Sequence, residues 1–113
     1  MRYLTFSLLV ILCTTMKAQN IPGYVPQNGL IGYYPFSGNA NDVSGNGNNG
    51  SINGATLTLD RFSNANSAYD FDGTNDYLDL GSNSILPTTS MTFSIWFRTN
   101  SSGNQELLAT DQS

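Results

Sequence analysis

Apolar and polar residues alternate in several short stretches of the chain, and turn residues separate these stretches. The alternation is clearest at residues 55–59, 68–72, 76–80 and 90–99. In the last stretch one face carries the apolar side chains and the other carries the polar ones together with the tryptophan: Met91, Phe93, Ile95 and Phe97 oppose Thr92, Ser94, Trp96 and Arg98. Alternation with a period of two predicts strands, and no stretch shows a sustained helical period.

Two further strands and a hairpin complete the predicted pattern. An aromatic run at residues 30–36 predicts a strand that ends near Pro35, because proline cannot donate to a ladder. Residues 106–110 begin another strand, and Gly73-Thr74-Asn75 predicts a hairpin between the stretches on either side. The glycine- and asparagine-rich residues 37–53 predict a loop. About six short strands with turns between them predict an antiparallel all-β sandwich or barrel.

The start of the chain has the pattern of a secretory signal peptide. A basic start precedes an apolar run at residues 4–13, and Ala18 offers a small residue for cleavage. The run is shorter than the ~20 residues that span a bilayer. We therefore predict a signal peptide at residues 1–18, an extended lead-in at 19–28, and an extracellular or cell-surface protein without membrane insertion after cleavage. The alternatives are a buried N-terminal strand and lipidation at Cys13, which Leu12 disfavours because a small residue precedes lipidated cysteines.

Composition excludes several classes of function. The chain has 4 Lys and Arg residues, 8 Asp and Glu residues and no His. Ser-His-Asp and Cys-His catalysis and His-ligated zinc are therefore excluded within it. No basic run is present, which argues against binding to nucleic acid. After cleavage, Arg61 and Arg98 would be the remaining basic residues, against all 8 acidic ones, so the mature chain would be acidic. No cysteine would remain for a disulfide.

An ordered set of short motifs carries a family resemblance. The motifs lie at residues 29–42, 44–50, 53–55, 60–62, 64–69, 71–73, 76–77 and 91–97. In this order and spacing, residues 29–110 resemble the bacterial LamG-like (laminin G-like) domains of the concanavalin A-like lectin/glucanase superfamily. The resemblance implies an antiparallel two-sheet jelly roll and extracellular recognition of carbohydrate or protein. Such domains are usually longer, so residues 29–113 are expected to form the N-terminal part of one.

Residues 42–48 have the spacing of a calcium loop. Asp42, Ser44 and Asn46 place oxygen ligands at the first, third and fifth positions, Gly47 allows a sharp turn at the sixth, and Asn48 follows. An EF-hand is rejected, because an asparagine stands where the bidentate glutamate would be and strands flank the loop. The alternative is that these residues supply left-handed turns and side-chain-to-backbone hydrogen bonds.

Four carboxylates follow within ten residues: Asp70, Asp72, Asp76 and Asp79. Like charges this close destabilise a fold unless water or a cation compensates them. We expect Asp72 either to approach the calcium loop from the predicted hairpin or to cap the hairpin turn. The resemblance implies that glucanases of the superfamily carry their catalytic carboxylates in a Glu-x-Asp-x-x-Glu strand. This chain has a single glutamate, Glu106, and lacks that motif. The sequence therefore predicts a module without catalysis.

Trp96 and Tyr77 are the candidate ligand-contacting aromatics, with core packing as the alternative fate of such residues. The sequence thus supports two hypotheses. The first is a secreted carbohydrate-binding module that calcium assists. The second is a structural or adhesive spacer of a larger surface protein, with extracellular protein partners.

Overall fold

The computed structural model describes residues 20–81, 90–104 and 106–109. The predicted signal peptide lies outside these residues. Their regular structure consists of four strands of three residues each: β1 Ser51–Asn53, β2 Thr56–Thr58, β3 Ala68–Asp70 and β4 Tyr77–Asp79. All of them pair antiparallel, in agreement with the all-β prediction. In this part of the chain we find no apolar helix of membrane-spanning length.

The two ladders are nested along one pair of chain segments. β2 pairs with β3, where Leu57 faces Tyr69. β1 pairs with β4 farther out, where Ile52 faces Leu78. Between the ladders, one segment contributes two residues, Gly54 and Ala55, whereas the other contributes residues 71–76. These six residues, the 71–76 loop, therefore bulge out of an otherwise continuous hairpin.

Local sequence explains where the ladders stop. Gly54 has a φ of +78°, a left-handed conformation that favours glycine, so β1 and β2 are separated there. At the far end, Ser67 N–H donates to the carbonyl of Thr58 at 3.0 Å and closes the inner hairpin. Asp60 then organises the connecting loop, because its carboxylate accepts the backbone N–H groups of Phe62 and Asn64 at 2.8 and 2.9 Å. Asparagine and aspartate favour such turns through these side-chain bonds.

The predicted hairpin around residues 73–75 is wrong. The strands on either side of it exist, as β3 and β4, but β3 pairs with β2 and β4 pairs with β1. The turn residues instead build the 71–76 loop, where Asp72 Oδ1 accepts the N–H of Thr74 at 2.8 Å and Asp76 Oδ2 accepts the N–H of Asp72 at 2.9 Å. A local turn signal therefore marks a reversal of the chain without identifying the strands that pair.

The predicted strand at residues 30–36 is also absent. Its backbone groups are bound by the following loop instead of by a neighbouring strand: Tyr33 N–H donates to Asp42, and Tyr33 carbonyl accepts the N–H of Val43 at 3.0 Å. Ile31 carbonyl accepts side-chain donors of the same loop. The segment thus satisfies its hydrogen bonds without a ladder.

Three other sequence predictions need correction. Residues 90–99 and 106–109 form no strand, since no segment in the described part of the chain pairs with them. The large apolar side chains of both segments are exposed. The predicted loop at 37–53 contains β1 at its end.

The small core lies where the loop after residue 38 meets the outer ladder. Ala40 is 4% exposed, and its carbonyl accepts the N–H of Gly50 at 2.9 Å. A Cβ at Gly50 would contact both Ala40 and Leu78, so glycine permits this close approach. Phe36 joins this region to β3 through an edge-to-face contact with Tyr69, with ring centroids 5.3 Å apart. Such aromatic pairs contribute ~0.5–1.5 kcal/mol beyond the area they bury.

Candidate functional site

Asp42 is the centre of a dense hydrogen-bond network. Its Oδ1 accepts the N–H groups of Tyr33 at 3.0 Å and Ser44 at 2.8 Å. Its Oδ2 accepts the hydroxyl of Ser44 at 2.8 Å and the N–H of Asn48 at 3.0 Å. The carboxylate of Asp42 therefore ties residues 42–48, the Asp42 loop, to the preceding aromatic segment.

The side-chain amides of the Asp42 loop also bind the segment at residues 30–36. Asn46 Nδ2 donates to the carbonyls of Leu30 at 2.7 Å and Ile31 at 3.1 Å. Asn48 Nδ2 donates to the Ile31 carbonyl at 2.8 Å, and the hydroxyl of Tyr34 donates to the Asn48 carbonyl at 2.6 Å. The loop thus supplies both acceptors and donors to a segment that has no strand partner.

This environment shifts the pKa values of Asp42 and Tyr34. Partial burial raises the pKa of Asp42, but the hydrogen bonds from Tyr33, Ser44 and Asn48 outweigh it and hold the pKa below its ordinary value. Burial, together with the negative charge of Asp42, raises the pKa of Tyr34. At neutral pH the network therefore contains an ionised aspartate and a neutral tyrosine whose hydroxyl donates a hydrogen bond to the Asn48 carbonyl.

Acid should weaken the fold through this carboxylate. A folded-state pKa below the unfolded value of about 3.9 means that the unfolded chain takes up the proton first as the pH falls. The stabilisation is complete above about pH 5, where the unfolded chain is also ionised, and is lost as the pH falls through the folded pKa. Urea unfolding between about pH 3 and 6 should show this loss in the wild type and a flatter profile in Asp42→Asn.

Asp60 has a lowered pKa as well, chiefly because the side-chain amide of Asn64 donates to it and then because the backbone N–H of Asn64 does. Asp60→Asn is therefore the matched control, since it should remove only its own part of the acid dependence. Equal acid slopes in the wild type and Asp42→Asn would contradict the assignment to Asp42.

The Asp42 loop satisfies its carboxylate without a metal. Each of the two oxygens of Asp42 already accepts two donors, and Ca²⁺ would have to replace some of them. The geometry therefore fits the turn alternative as it stands, and calcium at Asp42, Ser44, Asn46 and Asn48 stays a prediction. Asp72 forms its hydrogen bond to Thr74 within the 71–76 loop. Within residues 20–81, 90–104 and 106–109, no three of the acidic, histidine or cysteine side chains are grouped for a metal.

A polar cleft lies elsewhere, between the 71–76 loop and the segment after Trp96. Its volume is about 370 Å³, and we call it the Asp72–Arg98 cleft. One wall is formed by residues 70–73 and the other by residues 98–101, and the lining of both is mostly polar. The lining residues are Asp70, Phe71, Asp72 and Gly73 on the first wall, and Arg98, Thr99, Asn100 and Ser101 on the second.

The structure brings together only part of the residue set predicted from sequence. Asp72 lines the cleft, whereas Tyr77 lies on β4 opposite Asn53 and is 54% exposed. Trp96 is 83% exposed and lies against Arg61, with the guanidinium carbon 4.1 Å from the ring centroid. Sequence reasoning missed Arg98 as a site residue, although it is one of two cations after residue 18 and shares a face of the predicted strand with Trp96. That combination was the available signal.

The chain was compared with protein-family models, curated proteins and solved structures, and no match was found in any of the three comparisons.

Proposed function

We propose that the chain is a secreted carbohydrate-binding module without chemistry of its own, and that the Asp72–Arg98 cleft is where it contacts the glycan. The observation that carries the proposal is the composition of the cleft: two carboxylates, a guanidinium, an amide and hydroxyls around an aromatic residue, Phe71, that is 46% exposed. A volume of 370 Å³ lies within the ~300–1,000 Å³ range of small-molecule sites.

Each group has a use in binding a sugar. The carboxyl groups of Asp70 and Asp72 can accept hydrogen bonds from hydroxyl groups, Arg98 can donate to ring and hydroxyl oxygens, and Asn100 can do both. Hydrogen bonds to charged groups are the stronger ones, which favours a ligand that offers several hydroxyls. Because the site is open to solvent, we expect weak affinity that improves with repeated glycan units.

The proposal includes the wider architecture that the sequence motifs imply. We propose an antiparallel two-sheet jelly roll, to which the nested ladders and the LamG-like motifs contribute support. We also propose export through residues 1–18 and assistance by calcium at the Asp42 loop. In the binding experiment, a comparison of millimolar calcium with chelator tests the calcium part separately.

The test is a glycan array with the full chain, followed by titration of the best ligand. Asp72→Asn and Arg98→Gln should weaken its binding by about 5-fold or more, as expected when a hydrogen bond to a charged group is lost. Asp72→Asn keeps an oxygen for Thr74 N–H, so the loop should persist. Asp79→Asn is the matched control, because Asp79 lies outside the cleft and, among the described residues, its carboxylate accepts the N–H of Gly81 at the end of β4. Wild-type affinity in both cleft variants would refute this site.

A second candidate function is an adhesive or structural spacer that binds extracellular proteins. The observation that favours it is the row of exposed apolar side chains at Met91, Phe93, Ile95 and Phe97, which are 45–59% exposed. Several large apolar side chains exposed within one short segment are a common feature of protein interfaces. Phe93→Ser should weaken partner capture under this hypothesis and leave glycan binding unchanged under the first.

A further inference from the structure

Arg61 joins two parts of the chain that no ladder connects. Its guanidinium carbon lies 4.5 Å from the centroid of the Phe62 ring and 4.1 Å from that of the Trp96 ring. Both distances are within the ~6 Å reach of a cation–π contact. Phe62 is the next residue in the chain, but Trp96 belongs to a segment outside both sheets. The contact with Trp96 therefore attaches residues 90–104 to the loop that connects β2 and β3.

The loop holds Arg61 in a defined place. Asp60 N–H donates to the carbonyl of Asn64 at 3.1 Å, and Ser63 N–H donates to the carbonyl of Asp60 at 3.0 Å. The carboxylate of Asp60 accepts the backbone and side-chain N–H groups of Asn64, both at 2.9 Å. These bonds hold the backbone at residues 60–64 in an ordered turn, and the side chain of Arg61 extends from that turn.

The position of Trp96 bears directly on the Asp72–Arg98 cleft. Arg98 follows Trp96 by two residues, so their Cα atoms lie at most about 7 Å apart whatever the local conformation. Arg98 is part of the second wall of the cleft. A contact that holds Trp96 therefore also limits where Arg98 can lie relative to Asp70 and Asp72.

We propose that Arg61 is a positioning residue for the Asp72–Arg98 cleft: it stacks on Trp96 and so holds the wall that carries Arg98 against the 71–76 loop. Arg61 itself does not line the cleft. A planar guanidinium stacks on aromatic rings, whereas a lysine ammonium is a compact and strongly hydrated charge. The role in recognition rests on the proposed carbohydrate binding, but the role in shaping the cleft does not.

The first measurement needs no glycan. Amide NMR spectra of the full chain are compared for the wild type, Arg61→Ala, Arg61→Lys and the control Ala65→Ser, an exposed position of the same loop. Arg61→Ala should shift the indole N–H of Trp96, the only tryptophan, and the amides of residues 70–73 and 98–101. Arg61→Lys should shift them less, and the ladder amides should stay in place. Unchanged cleft amides in Arg61→Ala would overturn the proposal.

The second measurement is the dissociation constant of the glycan. Loss of an exposed cation–π contact corresponds to about a 2- to 5-fold weaker affinity in Arg61→Ala, with Arg61→Lys in between. If the cleft amides shift but the affinity does not, positioning for recognition is refuted. If the wild type binds no glycan, the carbohydrate proposal fails while the amide shifts still decide the role of Arg61. General unfolding in Arg61→Ala would appear at the ladder amides, and Arg61→Lys then gives the decisive comparison.

Discussion

Gly54→Ala should destabilise the fold by about 2–4 kcal/mol, which combines the cost of a left-handed alanine with that of an overpacked contact. Gly54 has a φ of +78°, so any side chain there is strained. A Cβ at this position would also overlap the carboxylate of Asp76, whose oxygen lies directly beside the glycine. The substitution therefore affects the point where the two ladders meet. Urea unfolding with an unchanged m-value measures the loss.

The two causes can be separated with a matched glycine. Gly73 has a φ of +77°, and an added Cβ would meet nothing within 4 Å. Gly73→Ala should therefore cost only the conformational part, about 1–2 kcal/mol. Replacing Asp76 by Ala in the Gly54→Ala background should recover the steric part, which a double-mutant cycle measures. Equal losses in Gly54→Ala and Gly73→Ala would show that contact with Asp76 has no effect.

Asp42→Ala should lower the free energy of unfolding by about 2–3 kcal/mol, since hydrogen bonds to a charged group are lost and their donors are left to water. The donors are the N–H groups of Tyr33, Ser44 and Asn48 and the hydroxyl of Ser44. Asp42→Asn should lose nearly as much, because its NH₂ group would face N–H donors. Thermal and urea unfolding in chelator-containing buffer give the measurement.

Asp79→Ala is the control for that experiment, because the carboxylate of Asp79 accepts one exposed N–H, from Gly81 at 2.7 Å. It should cost about 1 kcal/mol or less. A similar effect of both alanine variants would refute the central role of Asp42. A loss at Asp42 that arises only in calcium-containing buffer would instead favour the metal at this loop.

Alternation located the strands better than it located their partners. Residues 55–59, 68–72 and 76–80 contain β2, β3 and β4 within two residues of each end. Pairing depends on non-local contacts such as Leu57 with Tyr69, which a turn signal at Gly73 cannot report. β1 was missed because three residues with a single apolar side chain, Ile52, form no pattern. At residues 90–99 the sequence alternates but no strand forms, because a strand needs a neighbour to satisfy its backbone hydrogen bonds and no described segment pairs with these residues.

The same limit applies to the sites. Spacing alone identified the Asp42 loop as one unit, but it could not show that the N–H of Tyr33, nine residues earlier, binds the carboxylate. Oxygen ligands for a cation and acceptors for turn donors are the same side chains, so sequence left both explanations open. The cleft was not predicted, because Asp72 and Arg98 are 26 residues apart and only the fold brings them to one cavity.

The 71–76 loop has a consequence for how such a chain can diversify. It leaves the hairpin between two ladders that each keep their own pairing, with Thr56 opposite Asp70 on one side and Asn53 opposite Tyr77 on the other. We therefore expect a change in length between Gly73 and Asn75 to leave the paired positions of both ladders in place. The two ladders would then stay the same in homologous chains. The 71–76 loop, which supplies part of one wall of the cleft, would differ in length and in chemistry.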